Sequence, residues 1–247
     1  MLNNYTKTTS KEKFFFETFP SALTILLPLF LITGPYLPDL AISLCATLFI
    51  INTIRGPFVN FRKYYQSVFF ICSIIFWVTI VSSSLLSSDV FYSLKSSFFY
   101  FRFAFFALST WFLLKINPKI TIYFLYMLIF CFSILIFDGF FQFYSEKNIL
   151  GWPKIGTRLS SFFKDELILG SYLSRLLPLY CAMLFFIFPD SKKFSLKTAC
   201  FIIIFILSEV LTFLSGERAA FFYLNLSAFF ILIFSNYYKL LRFLILF

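Results

Sequence analysis

The sequence contains no histidine, which removes the commonest metal ligand and the commonest general base from its chemistry. It also lacks a Walker loop, a dinucleotide-binding glycine fingerprint and an Asp-x-Asp pair. The five cysteines are scattered singly through apolar stretches, with neither a disulfide framework nor the spacing of a metal site. We therefore expect no bound metal and no cofactor.

Charged residues are scarce as well, at 13% of the chain, whereas soluble domains carry about a quarter. Five stretches share a single charge, that of Glu209, and each is near the ~20 residues that an α-helix needs to cross a bilayer core. They are 18–38, 64–88, 120–137, 198–216 and 219–238. Composition therefore predicts an integral membrane protein.

Three further stretches are less clean: 40–54 is short, 96–114 contains Arg102 and 167–189 contains Arg175. The alternating ten-residue segments of membrane β-strands are not seen. The sequence therefore predicts an all-α fold, a polytopic helical bundle with about eight complete transmembrane helices. A ninth begins at Leu240.

Lysine and arginine orient this bundle. With a cytoplasmic N-terminal stub at 1–17, thirteen of the 21 basic residues and three of the 11 acidic residues fall on the cytoplasmic side. The whole net charge of +10 then lies on that side, as is typical of membrane proteins. We expect contact with membrane lipids, no nucleic-acid partner, and a transmembrane domain over 18–247.

One outer loop is much longer than the others, from about 138 to 166. Its Glu146 and Lys147 are typical of a solvated face. Arg158 differs because GTRLSSFF places it among small and aromatic residues just before the sixth predicted span. Both a solvated role and a binding role remain open for Arg158.

Three charges lie inside predicted spans, namely Arg102, Arg175 and Glu209. All three lie in the outer half, roughly 10–14 Å from the outer helix ends at 1.5 Å per residue. An isolated charge at that depth costs a few kcal/mol, so each should find a partner or a polar cavity. Either Glu209 forms an ion pair with Arg102 or Arg175, or the arginines line a cavity that opens outward and suits an anionic substrate.

The stretch LSGERAA, 214–220, is predicted to be an outer turn, in which Ser215-Gly216 ends one helix and Glu217 lies in the first turn of the next. Glu217 either orients Arg218 or caps the new helix, where acids are favoured. Arg218 either extends to lipid head groups or anchors a phosphate at a helix N-terminus.

Several stretches in order resemble the O-antigen ligase/polymerase family. TRLSSFFKDELILGSYLSRLLPL (157–179) is followed some forty residues later by SGERAAFF (215–222). TGPYLPDL (33–40), SSDVFYSLKSSFFYFRF (87–103) and the pair Asp138 and Gln142 add to the likeness.

The resemblance implies a metal-independent glycosyltransferase on the periplasmic face of the bacterial inner membrane. Members of the family move a glycan from undecaprenyl diphosphate to lipid A core or to a growing polymer. The implied partners are a lipid-linked oligosaccharide donor and a glycan or lipid A-core acceptor. For such a reaction we assign Arg218 and Arg158 as the catalytic residues. We assign Arg102, Arg175 and Glu209, because of their depth in the predicted spans, and Glu217 as substrate-binding residues.

The chain departs from the family in one respect. Members continue into a large periplasmic loop with a histidine proposed as the base, whereas this chain has no histidine and ends at KLLRFLILF. We therefore expect an N-terminal part of such a protein. Two alternatives remain: a transporter or flippase for lipid-linked saccharide, which should show helices broken near the midplane, and a membrane scaffold, which would need no buried arginines.

Overall fold

The computed structural model describes residues 10–56, 58–187 and 196–234. Within them no β-strand is found, and only two isolated antiparallel bridges occur, Lys147 with Pro153 and Ile155 with Arg158. The predicted all-α class is confirmed. Numbered along the chain, the helices are α1 (Phe14–Ile32), α2 (Tyr36–Arg55), α3 (Phe58–Tyr65), α4 (Val68–Leu85), α5 (Val90–Ile116), α6 (Lys119–Ser145), α7 (Leu169–Ile187), α8 (Leu196–Leu214) and α9 (Arg218–Phe234).

Five of these helices, α1, α2, α4, α5 and α6, are long and apolar enough to cross a bilayer. This number agrees with an integral membrane protein, and the count of eight spans stays a prediction. Helices α7, α8 and α9 coincide with the remaining three predicted spans, but their described apolar parts are shorter or interrupted by charge. The start of a ninth span at Leu240 lies outside the described residues, as do most of the 1–17 stub and the basic residues Lys192, Lys193, Lys239 and Arg242.

The chain divides into two compact units. Unit 1 contains the described residues before 32 together with 35–120, and unit 2 contains 32–34 and the described residues from 121 onward.

Unit 1 has an aromatic core between α2, α3 and α5. Phe49 of α2 contacts Phe112 of α5, with 5.9 Å between ring centroids. Helix α3 is amphipathic, and it turns Phe61 and Tyr64 inward onto the same cluster, where both are buried. Ser67 then caps α4 by accepting a hydrogen bond from the amide of Phe70 at 3.2 Å. Phe61 and Tyr64 therefore anchor α3 to α2 and α5.

Unit 2 is built from α6, α7, α8 and α9. Phe132 of α6 contacts Tyr180 of α7 edge-on, at 5.5 Å between centroids. Gly139 of α6 lies so close to α8 that an added Cβ would stand 2.6 Å from a methyl carbon of Leu211. Helices α8 and α9 both pack on α7. Close helix packing therefore brings the C-terminal ends of α6 and α8 together with the N-terminal ends of α7 and α9.

Helix α6 continues to Ser145, past Asp138, where the sequence predicted the long loop to begin. Asp138 and Gln142 are four residues apart and thus share one face of the helix. Both side chains are fully buried and hydrogen-bonded, so their polarity does not end the helix. The loop that joins α6 to α7 is consequently shorter than predicted.

Candidate functional site

The turn between α8 and α9 is the centre of the candidate site. Ser215 is fully buried, and its hydroxyl donates a hydrogen bond to the carbonyl of Thr212 at 2.7 Å. Gly216 has a φ of +72°, a conformation that glycine adopts without steric penalty. The prediction that Ser215-Gly216 ends one helix is confirmed, because α8 ends at Leu214. Helix α9 begins at Arg218, so Glu217 directly precedes its first turn.

Arg158 is fixed against this turn. Its Nε donates a hydrogen bond to the carbonyl oxygen of Ser215 at 3.0 Å. Its side chain crosses Gly216 so closely that a Cβ there would lie 3.0 Å from the Arg158 Cγ and 3.1 Å from its Nε. Arg158 as a whole is partly buried, and within the described residues its guanidinium forms no ion pair. Its two Nη groups therefore keep their hydrogen-bonding capacity.

Glu217 holds the start of α7. Its carboxylate accepts hydrogen bonds from the amides of Gly170 at 2.7 Å and Ser171 at 3.1 Å, and from the hydroxyl of Ser171. The first amides of a helix have no partner inside the helix and are favoured beside a negative charge. We predicted that Glu217 orients Arg218 or caps α9. That prediction is wrong, because the carboxylate caps the N-terminus of α7 instead.

Gly170 makes this cap possible. A Cβ at Gly170 would stand 2.5 Å from the Ser215 hydroxyl oxygen and 3.1 Å from a carboxylate oxygen of Glu217. Any other residue would force the Ser215 hydroxyl or the helix backbone to shift. Gly170 and Gly216 thus allow the loop, α7 and the turn to meet within hydrogen-bonding distance.

Arg218 is the first residue of α9, and its side chain is exposed. Among the described residues it has no ion-pair partner. The first hydrogen bond of α9 runs from the amide of Phe221 to the carbonyl of Glu217 at 3.0 Å, which leaves the preceding amides of the helix without intrahelical acceptors. The Arg158 side chain therefore lies against Gly216, and α9 begins two residues further along the chain with Arg218 as its first residue.

Two buried side chains of α6 hold the loop that carries Arg158. Asp138 accepts hydrogen bonds from the amide of Ile149 at 2.9 Å and from the hydroxyl of Ser161 at 2.6 Å. Gln142 accepts from the amides of Ser160 at 3.1 Å and Ser161 at 2.8 Å. The sequence analysis used this pair only for a family resemblance and missed its positioning role. The signal was its spacing, since two polar residues four apart on an apolar helix share one face.

Arg102 belongs to unit 1 and has a partner there. Its Nη2 lies 2.8 Å from a carboxylate oxygen of Asp39, and its Nη1 lies 3.5 Å from the hydroxyl of Ser43. Helices α2 and α5 pack along each other, so the first turn of α2 meets the middle of α5. Asp39 therefore supplies the carboxylate that the sequence analysis assigned to Glu209.

Arg175 and Glu209 are not brought together. In the described part of unit 2, neither side chain forms an ion pair or a hydrogen bond to a side chain. Arg175 is exposed on α7, while its neighbours Leu173, Ser174 and Leu177 are buried. Arg175 therefore lies on the face of α7 that does not pack against the rest of unit 2. The predicted pairing of Glu209 with Arg175 is wrong.

Within the described residues, no group of three or more histidine, cysteine, aspartate or glutamate side chains is arranged to hold a metal ion. No protein-family model, curated protein or solved structure matches this chain. The resemblance to O-antigen ligases and polymerases therefore rests on the sequence motifs alone.

Proposed function

We propose that unit 2 binds the diphosphate of a polyprenyl-linked glycan and takes part in glycan transfer of the O-antigen ligase or polymerase type. The reaction would take place at the periplasmic face of the bacterial inner membrane. One observation carries the proposal: Arg158 is held by the Ser215 carbonyl beside a helix start that also bears the exposed Arg218.

The chemistry of this arrangement suits a diphosphate. Arg158 uses its Nε to bind the turn, so both Nη groups remain for phosphate oxygens. A planar guanidinium can bind two such oxygens at once and stays charged at any physiological pH. The free amides at the start of α9 and the helix dipole favour an anion at the same place. Two arginines and a helix N-terminus together offset much of the charge of a diphosphate.

The same groups would serve transfer as well as binding. When an acceptor hydroxyl attacks the anomeric carbon of the glycan, a new glycosidic bond forms as the bond from that carbon to the diphosphate oxygen breaks, and the hydroxyl proton passes to solvent. Negative charge then grows on the leaving diphosphate. Donors fixed at that position stabilise the transition state more than the ground state, and this difference accelerates the reaction. Arg158 is fixed in this sense, since the turn and the loop hold it from two sides.

Binding is tested with the purified chain in lipid nanodiscs and radiolabelled undecaprenyl diphosphate as the probe. We expect saturable binding that Arg158→Gln weakens by about ten- to a hundredfold, as for loss of hydrogen bonds to a charged group. Arg158→Lys keeps the charge but loses the planar group that binds two oxygens at once. Its affinity for undecaprenyl diphosphate should therefore lie between those of the wild type and Arg158→Gln. Arg218→Gln should weaken binding by about tenfold. The matched control is Lys147→Gln, which removes one exposed positive charge from the same loop.

If both Arg158 variants bound with wild-type affinity, Arg158 would not be part of the site. If Lys147→Gln lost as much affinity as Arg158→Gln, the loss would reflect the net charge of the protein and not a specific contact. Proteoliposomes then separate transfer from transport. A transferase joins a labelled lipid-linked glycan to an added acceptor, whereas a flippase moves the label between leaflets and forms no new glycosidic bond.

A further inference from the structure

One end of unit 1 combines exposed cations with buried aromatic rings. It is formed by the C-termini of α2 and α5, the short helix α3 and the first residues of α6. Tyr64 of α3 is buried and meets Trp111 of α5 edge-on, with 4.9 Å between ring centroids. Ile120, at the start of α6, packs into the same cluster. The end is therefore a rigid platform.

Two lysine side chains of this platform lie over its aromatic rings. The ammonium of Lys115 lies 4.8 Å from the ring centroid of Trp111 and 5.7 Å from that of Tyr64. The ammonium of Lys63 lies 5.0 Å from the Tyr64 ring. Such contacts hold a lysine by attraction to the ring face and leave its ammonium hydrogens free for an anion. We call the exposed residues Arg62, Lys63, Lys115 and Lys119 the basic surface.

No acidic residue lies near the basic surface along the helices that form it. The sequence contains no aspartate or glutamate in 40–88 or in 90–137. Arg55 lies beside the surface, over the ring of Phe16 at 5.8 Å, and Glu17 follows on that same helix, so we leave Arg55 out of the set. Further along α5, Arg102 is paired with Asp39 of the first turn of α2 at 2.8 Å. Among the described residues of 35–120, four exposed cations are therefore grouped at this end.

We propose that the basic surface binds the head groups of anionic phospholipids. Lys115 and Lys119 lie at the ends of α5 and α6, which are long and apolar enough to cross a bilayer, so these ends reach the level of the head groups. The short helix α3 packs on the same end through Phe61 and Tyr64 and places Arg62 and Lys63 beside them. Tryptophan and tyrosine are favoured at that level, which fits Trp111 and Tyr64. Each lysine or arginine near an anionic membrane surface strengthens attraction by roughly fivefold. Four unopposed cations on one platform thus select anionic over zwitterionic lipid.

The test uses Trp111 as a local reporter. The chain has three tryptophans, and the changes Trp77→Phe and Trp152→Phe leave Trp111 alone. This variant is reconstituted into mixed bilayers in which either phosphatidylglycerol or phosphatidylcholine carries brominated chains, which quench nearby tryptophan. We expect phosphatidylglycerol to be preferred beside Trp111 by several-fold at low salt. The preference should shrink at 1 M salt, where the Debye length falls to about 3 Å.

Charge variants in the same background identify the residues. Lys63→Gln with Lys115→Gln should bring the preference close to one, whereas Lys63→Arg with Lys115→Arg keeps the charge and should keep the preference. Lys95→Gln is the matched control, because it removes an exposed lysine from another part of unit 1. Equal quenching by the two lipids in the reporter protein overturns the proposal, and so does a preference that high salt leaves unchanged. Both results are read without the double variants, so poor folding of a variant does not decide the outcome.

Discussion

Two aspartates on apolar helices are used in opposite ways. Asp39 in unit 1 is about half-exposed and neutralised by Arg102 at 2.8 Å. Asp138 in unit 2 is fully buried, and its described partners are an amide and a hydroxyl of the α6–α7 loop. The first aspartate balances a charge at a helix end, whereas the second shapes a loop. A count of charges along the sequence treats the two aspartates alike. Their burial and their ion-pair or hydrogen-bond partners distinguish their roles.

The difference extends to the units that contain them. The core of unit 1 is a cluster of aromatic rings in edge-on contact, and such a core tolerates changes that keep its volume. Unit 2 depends on hydrogen bonds with defined directions and on glycines in tight places. We therefore expect polar and glycine substitutions to act much more strongly in unit 2 than in unit 1.

The largest effect is expected for Asp138→Ala. Two hydrogen bonds to a charged group are lost, at about 1.5–3 kcal/mol each, so the free energy of unfolding should fall by roughly 3 kcal/mol or more. Loss of helicity during titration with a denaturing detergent measures this change. Trypsin cleavage at Lys154 should also become faster, because the loop is released. Asp138→Asn keeps one acceptor oxygen and should lose about half as much; an Asp138→Ala protein as stable as the wild type would contradict the role of the network.

Gly170→Ala should have the next largest effect. The new Cβ would stand 2.5 Å from the Ser215 hydroxyl oxygen, and overpacking of this kind destabilises by about 1–3 kcal/mol. The second change Ser215→Ala removes the clashing oxygen. The double variant should therefore be more stable than the sum of the two single changes predicts, as for directly coupled residues. Strictly additive losses in the same detergent titration would show that α7 does not approach the turn at Gly170.

Glu217→Gln should have a moderate effect. Gln keeps an acceptor oxygen but loses the charge that favours the start of α7, so we expect a loss of about 1 kcal/mol, typical of a helix cap. Glu146→Gln is the matched control, since Glu146 forms an exposed ion pair with Lys154 at 2.7 Å and such pairs contribute little. Thermal melts of the two variants compare them directly. Equal melting temperatures would mean that the Glu217 cap contributes no more than a surface pair.

Much of the fold was accessible from the sequence, because uncharged runs of bilayer length can form little except apolar helices. The Ser215-Gly216 turn was also predictable, since a small polar residue followed by glycine interrupts a helix. The partners of the charges were not. Whether Arg102 meets Asp39 or another carboxylate depends on which helices pack side by side. The reach of Glu217 to α7 likewise depends on Gly170, far away in the chain, and no local pattern encodes that approach.

The smallest effect is expected for Asp39→Asn in unit 1. The pair with Arg102 is partly exposed on both sides, at 29% for the arginine and 52% for the aspartate side chain. Solvent screening limits such a pair to about 0–1 kcal/mol, and the amide that replaces the carboxylate would still offer an oxygen to the guanidinium. We therefore expect a loss of less than about 1 kcal/mol in the detergent titration. Asp138→Asn is the matched change in unit 2, and it should destabilise at least twice as much. If Asp39→Asn proved the more damaging of the two, the ion pair would be shielded from water by lipid, and the contrast between the two aspartates would reverse.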